Sequence, residues 1–209
     1  MIRLYGYWRS SAAYRVRIAL ALKGLTYESV EVNLLAGEQR DAAFRAHNPQ
    51  GLVPALEIDG AVIGQSLAII DYLDALYPDP PLVPRDPLAR ARALGQALVI
   101  AADIHPITNL RVLQRLAGQF DADQPAKDDW YRHWIAEGFT ALEALAGDGP
   151  FLGGGAPNLA DICLVPQMFN ARRFDVALDA WPTLLRADAA ACALPAFAAA
   201  HPDAVAPSA

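Results

Sequence analysis

Three short polar stretches carry the side chains best suited to chemistry. In "YWRSSAAYRVRIALALKG", residues 7 to 24, Arg9, Ser10 and Ser11 fall between an alternating apolar segment and a helical one. At such a junction the orphan N–H groups of a first helical turn and the positive end of its dipole lie together, and two hydroxyls and a guanidinium there suit an anion. In "NPQGLVPALEIDG", Val53-Pro54 opens another apolar run. Proline cannot donate to a sheet ladder, so it belongs at a strand's first residue or on an edge, with a cis peptide bond as one option and the backbone of Val53 left for a ligand. Gln65-Ser66, in "QSLAIIDYL", begins a helical pattern. Helix starts bind carboxylates through N–H groups and dipole together. Together the three points suit a small, extended, anionic peptide.

The elements that must position them follow from periodicity. Residues 2 to 7 alternate as a strand, and a helix follows with Val16, Leu20 and the Ala19/Lys23 stem on one face and Gly24 as its stop. "TYESVEVNL" alternates again, and a mixed helical segment runs from about Gly37 to His47. Asp59-Gly60 joins two short strands as a two-residue hairpin turn, after which Ser66 reads as the N-cap and Pro78 as the stop of an amphipathic helix. The order is βαβ–ββα. Five prolines in residues 78 to 87 forbid regular structure. Windows 88 to 117, 127 to 146, 158 to 174 and 183 to 200 then carry helical periods, so the second domain is all-helical. The boundaries expected are an α/β domain over 1–80, a linker over 81–87 and helices over 88–209. Asn158 with Asp161 forms a variant capping box ahead of an apolar run, and Trp130, Tyr131 and Trp134 at helical spacing read as packing residues.

Composition excludes several classes of partner. A formal charge of −6 and a pI near 5.1 argue against nucleic acid, which needs a basic face. There is no signal pattern at the N-terminus and no apolar run long enough to span a bilayer, so a cytoplasmic protein with no membrane partner is expected. The two cysteines, Cys163 and Cys192, lie in apolar helical patterns without metal-ligand spacing and read as buried free thiols, with no metal site. The tail "HPDAVAPSA" is expected to fray.

"RSSAAYRVRIALALKG", "NPQGLVPALEIDG", "QSLAIIDYL", "DIHPITNLRVL" and "NLADICLVPQMFNARRFDV" together resemble the zeta-class glutathione transferases of the maleylacetoacetate and maleylpyruvate isomerase type, in the right order over nearly the whole chain. The resemblance implies the glutathione transferase fold: a thioredoxin-like N-terminal domain, an all-α C-terminal domain, glutathione as cofactor and a homodimer. It implies that Val53 pairs its backbone with the cysteinyl part of glutathione, that Gln65 and Ser66 hold the γ-glutamyl carboxylate, that Gln39 and Gln50 reach the glycine end, and that His105 is a further glutathione contact. Arg9, Arg173 and Asn109 would meet the substrate's carboxylates.

The implied reaction is cis–trans isomerisation of a maleyl keto acid in aromatic catabolism. A thiol with a pKa near 8.5 needs a donor and a helix start to stand as a thiolate at neutral pH, and Ser10 and Ser11 supply both. Zeta members commonly carry Ser-Ser-Cys at this turn, and Ala12 stands where that cysteine would be. The isomerisation uses glutathione's own sulfur and survives the change, whereas a redox role does not. Two other readings keep the fold: conjugation or dehalogenation of small α-haloacids, and a glutathione-binding scaffold without turnover. Tyr7 is an alternative thiolate donor, disfavoured by the serine pair.

Overall fold

The computed structural model describes residues 1–207, and they divide into two compact units: Met1–Leu82 with the chain from Ala193 on, and Val83–Cys192.

The first unit is built on four strands, β1 (Ile2–Gly6), β2 (Glu28–Glu31), β3 (Ala55–Ile58) and β4 (Ala61–Gly64), in the order β2-β1-β3-β4. β1 runs parallel to β2 and antiparallel to β3, and β3 pairs antiparallel with β4. The parallel pair requires a crossover, which α1 (Ser11–Leu22) provides; the β3–β4 pair closes through Asp59 and Gly60, both at positive φ. Alternation along β1 sends neighbouring side chains to opposite faces. Leu4 joins Val16, Leu20, Leu56, Ile58, Ile69 and Leu73 beneath α1 and α3 (Ser66–Leu76), while Tyr5 joins Val32, Ala55 and Phe44 of α2 (Ala42–His47).

α1 is buried all round from Ser11 to Leu20, not on one face as its sequence suggests. α3 packs on one part of it, and α10 (Pro195–Ala199) of the C-terminal segment on another. Arg17 ties that segment down, with Nε donating to the Ala200 carbonyl and Nη2 to the Trp8 carbonyl, each at 3.0 Å. Burial pulls this guanidinium below its usual pKa. The tail therefore does not fray: Pro202–Val205 form α11, Pro202 is buried, and Tyr14 meets His201 edge to face. Of the expected fraying segment only Ser208 and Ala209 lie outside the described residues. The helical domain expected over 88–209 accordingly ends near Cys192, because the apolar surface of α1 takes up the residues beyond it.

The proline-rich stretch is anchored rather than loose. Lys23 Nζ, wholly buried, reaches Asp74 and the carbonyls of Tyr77 and Pro80, and Asp74 accepts the Leu82 N–H at 2.7 Å.

The second unit holds α4 (Pro87–Leu98), a π-helical turn (Val99–Ile104), the short α5 (His105–Ile107), α6 (Leu110–Phe120), α7 (Gln124–Leu145), α8 (Leu159–Arg173) and α9 (Pro182–Cys192). The expected helix over 88–117 is thus interrupted, by the wider turn ahead of Pro106 and by a new cap at Asn109. Gly138 of α7 lets that turn approach: a Cβ there would stand 2.3 Å from Ile104. The capping box forms, and Asp161, with no exposed surface, accepts backbone N–H groups of Leu152, Gly153 and Asn158. Burial raises its pKa, against the pull of those bonds. Tyr131 stacks on Phe174 at 3.6 Å, and Trp130 donates to the Ile107 carbonyl. Cys163 is buried, but Cys192 is exposed as a residue, because it sits in the last turn of α9. Its half-buried thiol lies 3.7 Å from Asp188, and burial with that carboxylate pushes its pKa up to about 11.

Candidate active site

The sheet register brings three of the polar stretches to one end of the first unit. Tyr5 pairs with Ala55, and Ala55 with Gly64. The chain leaves that row into the Arg9–Ser11 turn after β1, enters it from Val53-Pro54 before β3, and leaves it into Gln65-Ser66 after β4. Strand pairing alone makes neighbours of residues up to 57 positions apart in sequence.

Ser10 is the N-cap of α1, its Oγ accepting from Ala13 N–H at 3.2 Å. That bond uses a lone pair and leaves the hydroxyl proton to be donated elsewhere. Ser11, one residue on, is the first residue of the helix and 6% exposed. Arg9 is half-buried, its guanidinium 4.8 Å above the Trp8 ring and its Nη2 donating to the Tyr7 hydroxyl at 3.2 Å. This contact makes Tyr7, which is buried, a partner of Arg9.

The Val53-Pro54 peptide bond is cis. Among the described residues, no backbone hydrogen bond engages Val53. Asn48, which the sequence did not single out, shapes the loop before it: the buried amide donates to the Leu52 carbonyl at 2.7 Å and accepts from Gln50 N–H at 3.2 Å. An asparagine before proline in "NPQG" is a turn signature that could have found it. Gly51 stands at φ +62, and a Cβ there would meet the Gln39 carbonyl at 2.8 Å, so its lack of a side chain lets Gln39 pack against this loop. Gln39 is 8% exposed, and its side-chain oxygen has no hydrogen-bond partner among the described residues.

The structure moves the cap of α3. Ser66 is the first helical residue and Gln65 the N-cap, because Gln65 at φ +68 already turns the chain out of β4. No side chain caps this helix; Gln65 Nε2 donates instead to Gln50 Oε1 at 2.9 Å, bringing those two candidates together. The Ser66 hydroxyl, buried, accepts from Arg15 Nη1 at 3.3 Å.

Within the second unit, His105 opens α5 and is half-buried. Asn109 caps α6, its Oδ1 accepting from Arg111 N–H while its amide N–H groups remain available. Arg173 is exposed at the end of α8, with Asn170 Oδ1 at 3.4 Å and the rings of Phe169 and Phe174 within 6 Å of its guanidinium carbon. Its neighbour Arg172 pairs with the buried carboxylate of Asp188. Among the described residues no cluster of side chains could hold a metal ion, and no helix is long and apolar enough to cross a membrane.

Comparison with known proteins places this geometry. Residues 4–81 match the glutathione S-transferase N-terminal domain family. Maleylacetoacetate isomerase of Pseudomonas aeruginosa is 50% identical over 204 residues, 96% of each chain. The chain belongs to the zeta-class glutathione transferases, in the maleylacetoacetate and maleylpyruvate isomerase family. The holo structure of a bacterial zeta-class maleylpyruvate isomerase is 45% identical with a TM-score of 0.96, covering 99% of this chain and all of the other. Maleylacetoacetate isomerase of Anaeromyxobacter dehalogenans, with dicarboxyethyl glutathione and citrate bound in its active site, is 45% identical with a TM-score of 0.88, over 100% and 98% of the two chains. The α/β unit and the helical unit are those of the family's fold. Where members commonly carry a cysteine, Ala12 is buried in the first turn of α1 and follows directly on the hydroxyls of Ser10 and Ser11.

Proposed function

We propose that this protein is a glutathione-dependent cis–trans isomerase of a maleyl keto acid, maleylacetoacetate or maleylpyruvate. The observation that carries the reading is the meeting, at one end of the sheet, of a serine with a free hydroxyl proton, a residue with an unengaged backbone and an uncapped helix start. These are a thiolate donor, a partner for a peptide backbone and a carboxylate site.

The residues present fit glutathione. Val53 takes the cysteinyl backbone, Gln65 and Ser66 the γ-glutamyl carboxylate, and Gln50, tied to Gln65, stands between that end and the glycine end. Gln39 faces the glycyl peptide, whose N–H suits its otherwise unsatisfied oxygen. His105 is a further glutathione contact on this reading. Ser10 donates to the sulfur, while the first turn of α1 adds the positive end of its dipole, so the thiol ionises at neutral pH. Ser11, more deeply buried, supports the turn. The chemistry glutathione supplies when bound is reversible addition of its thiolate across the maleyl double bond, which lets the two carbons rotate from cis to trans before the thiolate leaves. The dicarboxyethyl group on the relative's ligand is what thiol addition to such a double bond leaves. Arg9, held in place by Tyr7 and Trp8, binds the carboxylate next to the reacting carbons, and Arg173 and Asn109 bind the distal acid group. No protein thiol takes part, so Ala12 is compatible with turnover.

A homodimer is part of this reading. Tyr72 and Leu76 on α3 and Val62 on β4, the last strand of the sheet, are exposed apolar residues that a second copy would cover. Free cysteines and the family's chemistry accord with the cytoplasm.

The test is a glutathione balance. Each candidate substrate is supplied in large excess over glutathione, and product and free thiol are followed together. Complete conversion to the trans acid with thiol unchanged supports isomerisation. One thiol lost per turnover, on these acids or on α-haloacids alone, would replace it with conjugation or dehalogenation. Glutathione binding with no turnover would leave a scaffold.

A further inference from the structure

α1 carries two basic side chains and a third, Lys23, at its C-cap, and they are engaged differently. Arg17 serves the Trp8 and Ala200 carbonyls, and Lys23 serves Asp74 and the proline-rich stretch. Arg15 is 2% exposed, the largest side chain among the fully buried ones, and its Nη1 reaches the Ser66 hydroxyl oxygen across 51 residues of sequence. Burial of a guanidinium is costly unless the arrangement uses it. Ser66 is the first residue of an α-helix that no side chain caps. A hydroxyl that accepts from a cation has one lone pair occupied, and its own proton is thereby directed away from that cation.

We propose that Arg15 is a positioning residue for the cofactor's α-carboxylate, acting through Ser66. It fixes the Ser66 hydroxyl as a donor facing the first turn of α3. Without it, that hydroxyl rotates freely and can turn its proton inward. The proposal rests on the reading of Gln65-Ser66 as the γ-glutamyl carboxylate site. Arg15 itself touches neither glutathione nor substrate in this account; what it contributes is selectivity for a ligand that bears the carboxylate over one that lacks it.

The experiment is calorimetric titration of the full-length protein with glutathione and with γ-aminobutyryl-cysteinyl-glycine, which lacks only that carboxylate. Wild type, Arg15→Lys, Ser66→Ala and the double variant are compared, each with its melting curve. Arg15→Lys keeps the buried charge, so the fold is retained while the fixed fork toward Ser66 is lost. The expected result is glutathione binding ~5- to 10-fold weaker in Arg15→Lys, with the analogue's affinity changed less than about 2-fold, and no further loss when Arg15→Lys is added to Ser66→Ala. In turnover, KM for glutathione rises and kcat stays near wild type. Equal losses for glutathione and analogue, or the same loss with and without the Ser66 hydroxyl, would assign Arg15 to structure alone and overturn the proposal. A wild-type protein that binds both ligands equally would overturn the carboxylate reading itself, a result visible before any variant is compared.

Discussion

The two units differ in what most of their buried polar groups hold in place. In the second, the buried carboxylates of Asp161 and Asp188 go to backbone N–H groups and to Arg172, and so to holding helices and their connections together. Its site candidates His105, Asn109 and Arg173 are half-buried or exposed, each near a helix end. In the first unit buried Arg17 does the same for the C-terminal segment, but Asn48, Gln39, Ser66 and Arg15, also buried, belong to the candidate site or hold it. The difference teaches where geometry is fixed. On the proposed reading most glutathione contacts are built into a sheet end and its buried supports, His105 excepted, whereas Arg173 and Asn109 meet the acid from helix termini and Arg9 from the turn after β1.

If this contrast is right, damage to the two units separates in measurement. The largest effect is expected for Asp161→Ala, which strands three backbone N–H groups and a cap: a stability loss of at least ~3 kcal/mol, read as a shift in the denaturant midpoint. Any protein that remains folded should bind glutathione normally, and a matching loss of affinity would break the contrast. Ser10→Ala should act the other way. Loss of one preorganised donor to a developing anion predicts a fall in kcat of about 100-fold, against a stability change of only about 1 kcal/mol from the lost cap. Ser11→Ala should cost less in rate than Ser10→Ala, and the reverse order would move the donor role to Ser11. Arg173→Ala sharpens the substrate side: KM for the maleyl acid rises about 10-fold with glutathione affinity unchanged, since an exposed arginine loses one charge-assisted contact. The smallest effect on stability is expected for Gln65→Gly. Relief of the φ +68 conformation offsets the greater freedom of an unfolded glycine, so the melting temperature changes little. Glutathione binding should weaken as the side chain that meets Gln50 is removed.

Much of the α/β unit was legible because its signals are local: period-two strands, Asp59-Gly60, Gly24 at the end of α1, and a proline opening β3. The capping box at Asn158 is legible for the same reason. What the sequence hid depends on distant partners. Ser66 looks like a cap, and only the positive φ of Gln65 and the reach of Arg15 across to it show otherwise. The tail reads as a segment that frays, and only the all-round burial of α1 shows that it has a surface to cover. The close approach of the π-helical turn before His105 is permitted by the missing side chain of Gly138, on a helix some thirty residues later. At the site, residue types and helix starts pointed to the serines, Val53 and Gln65-Ser66. Asn48 and Arg15 were missed because each acts on another candidate rather than on a ligand.

The most direct test of the central claim is isomerisation followed with glutathione far below substrate concentration, in wild type and Ser10→Ala side by side. The account predicts many turnovers per glutathione in wild type, none without glutathione, free thiol constant throughout, and a rate about 100-fold lower in the variant. Turnover that proceeds without glutathione, that stops after one equivalent, or that is unchanged by loss of the Ser10 hydroxyl would contradict it.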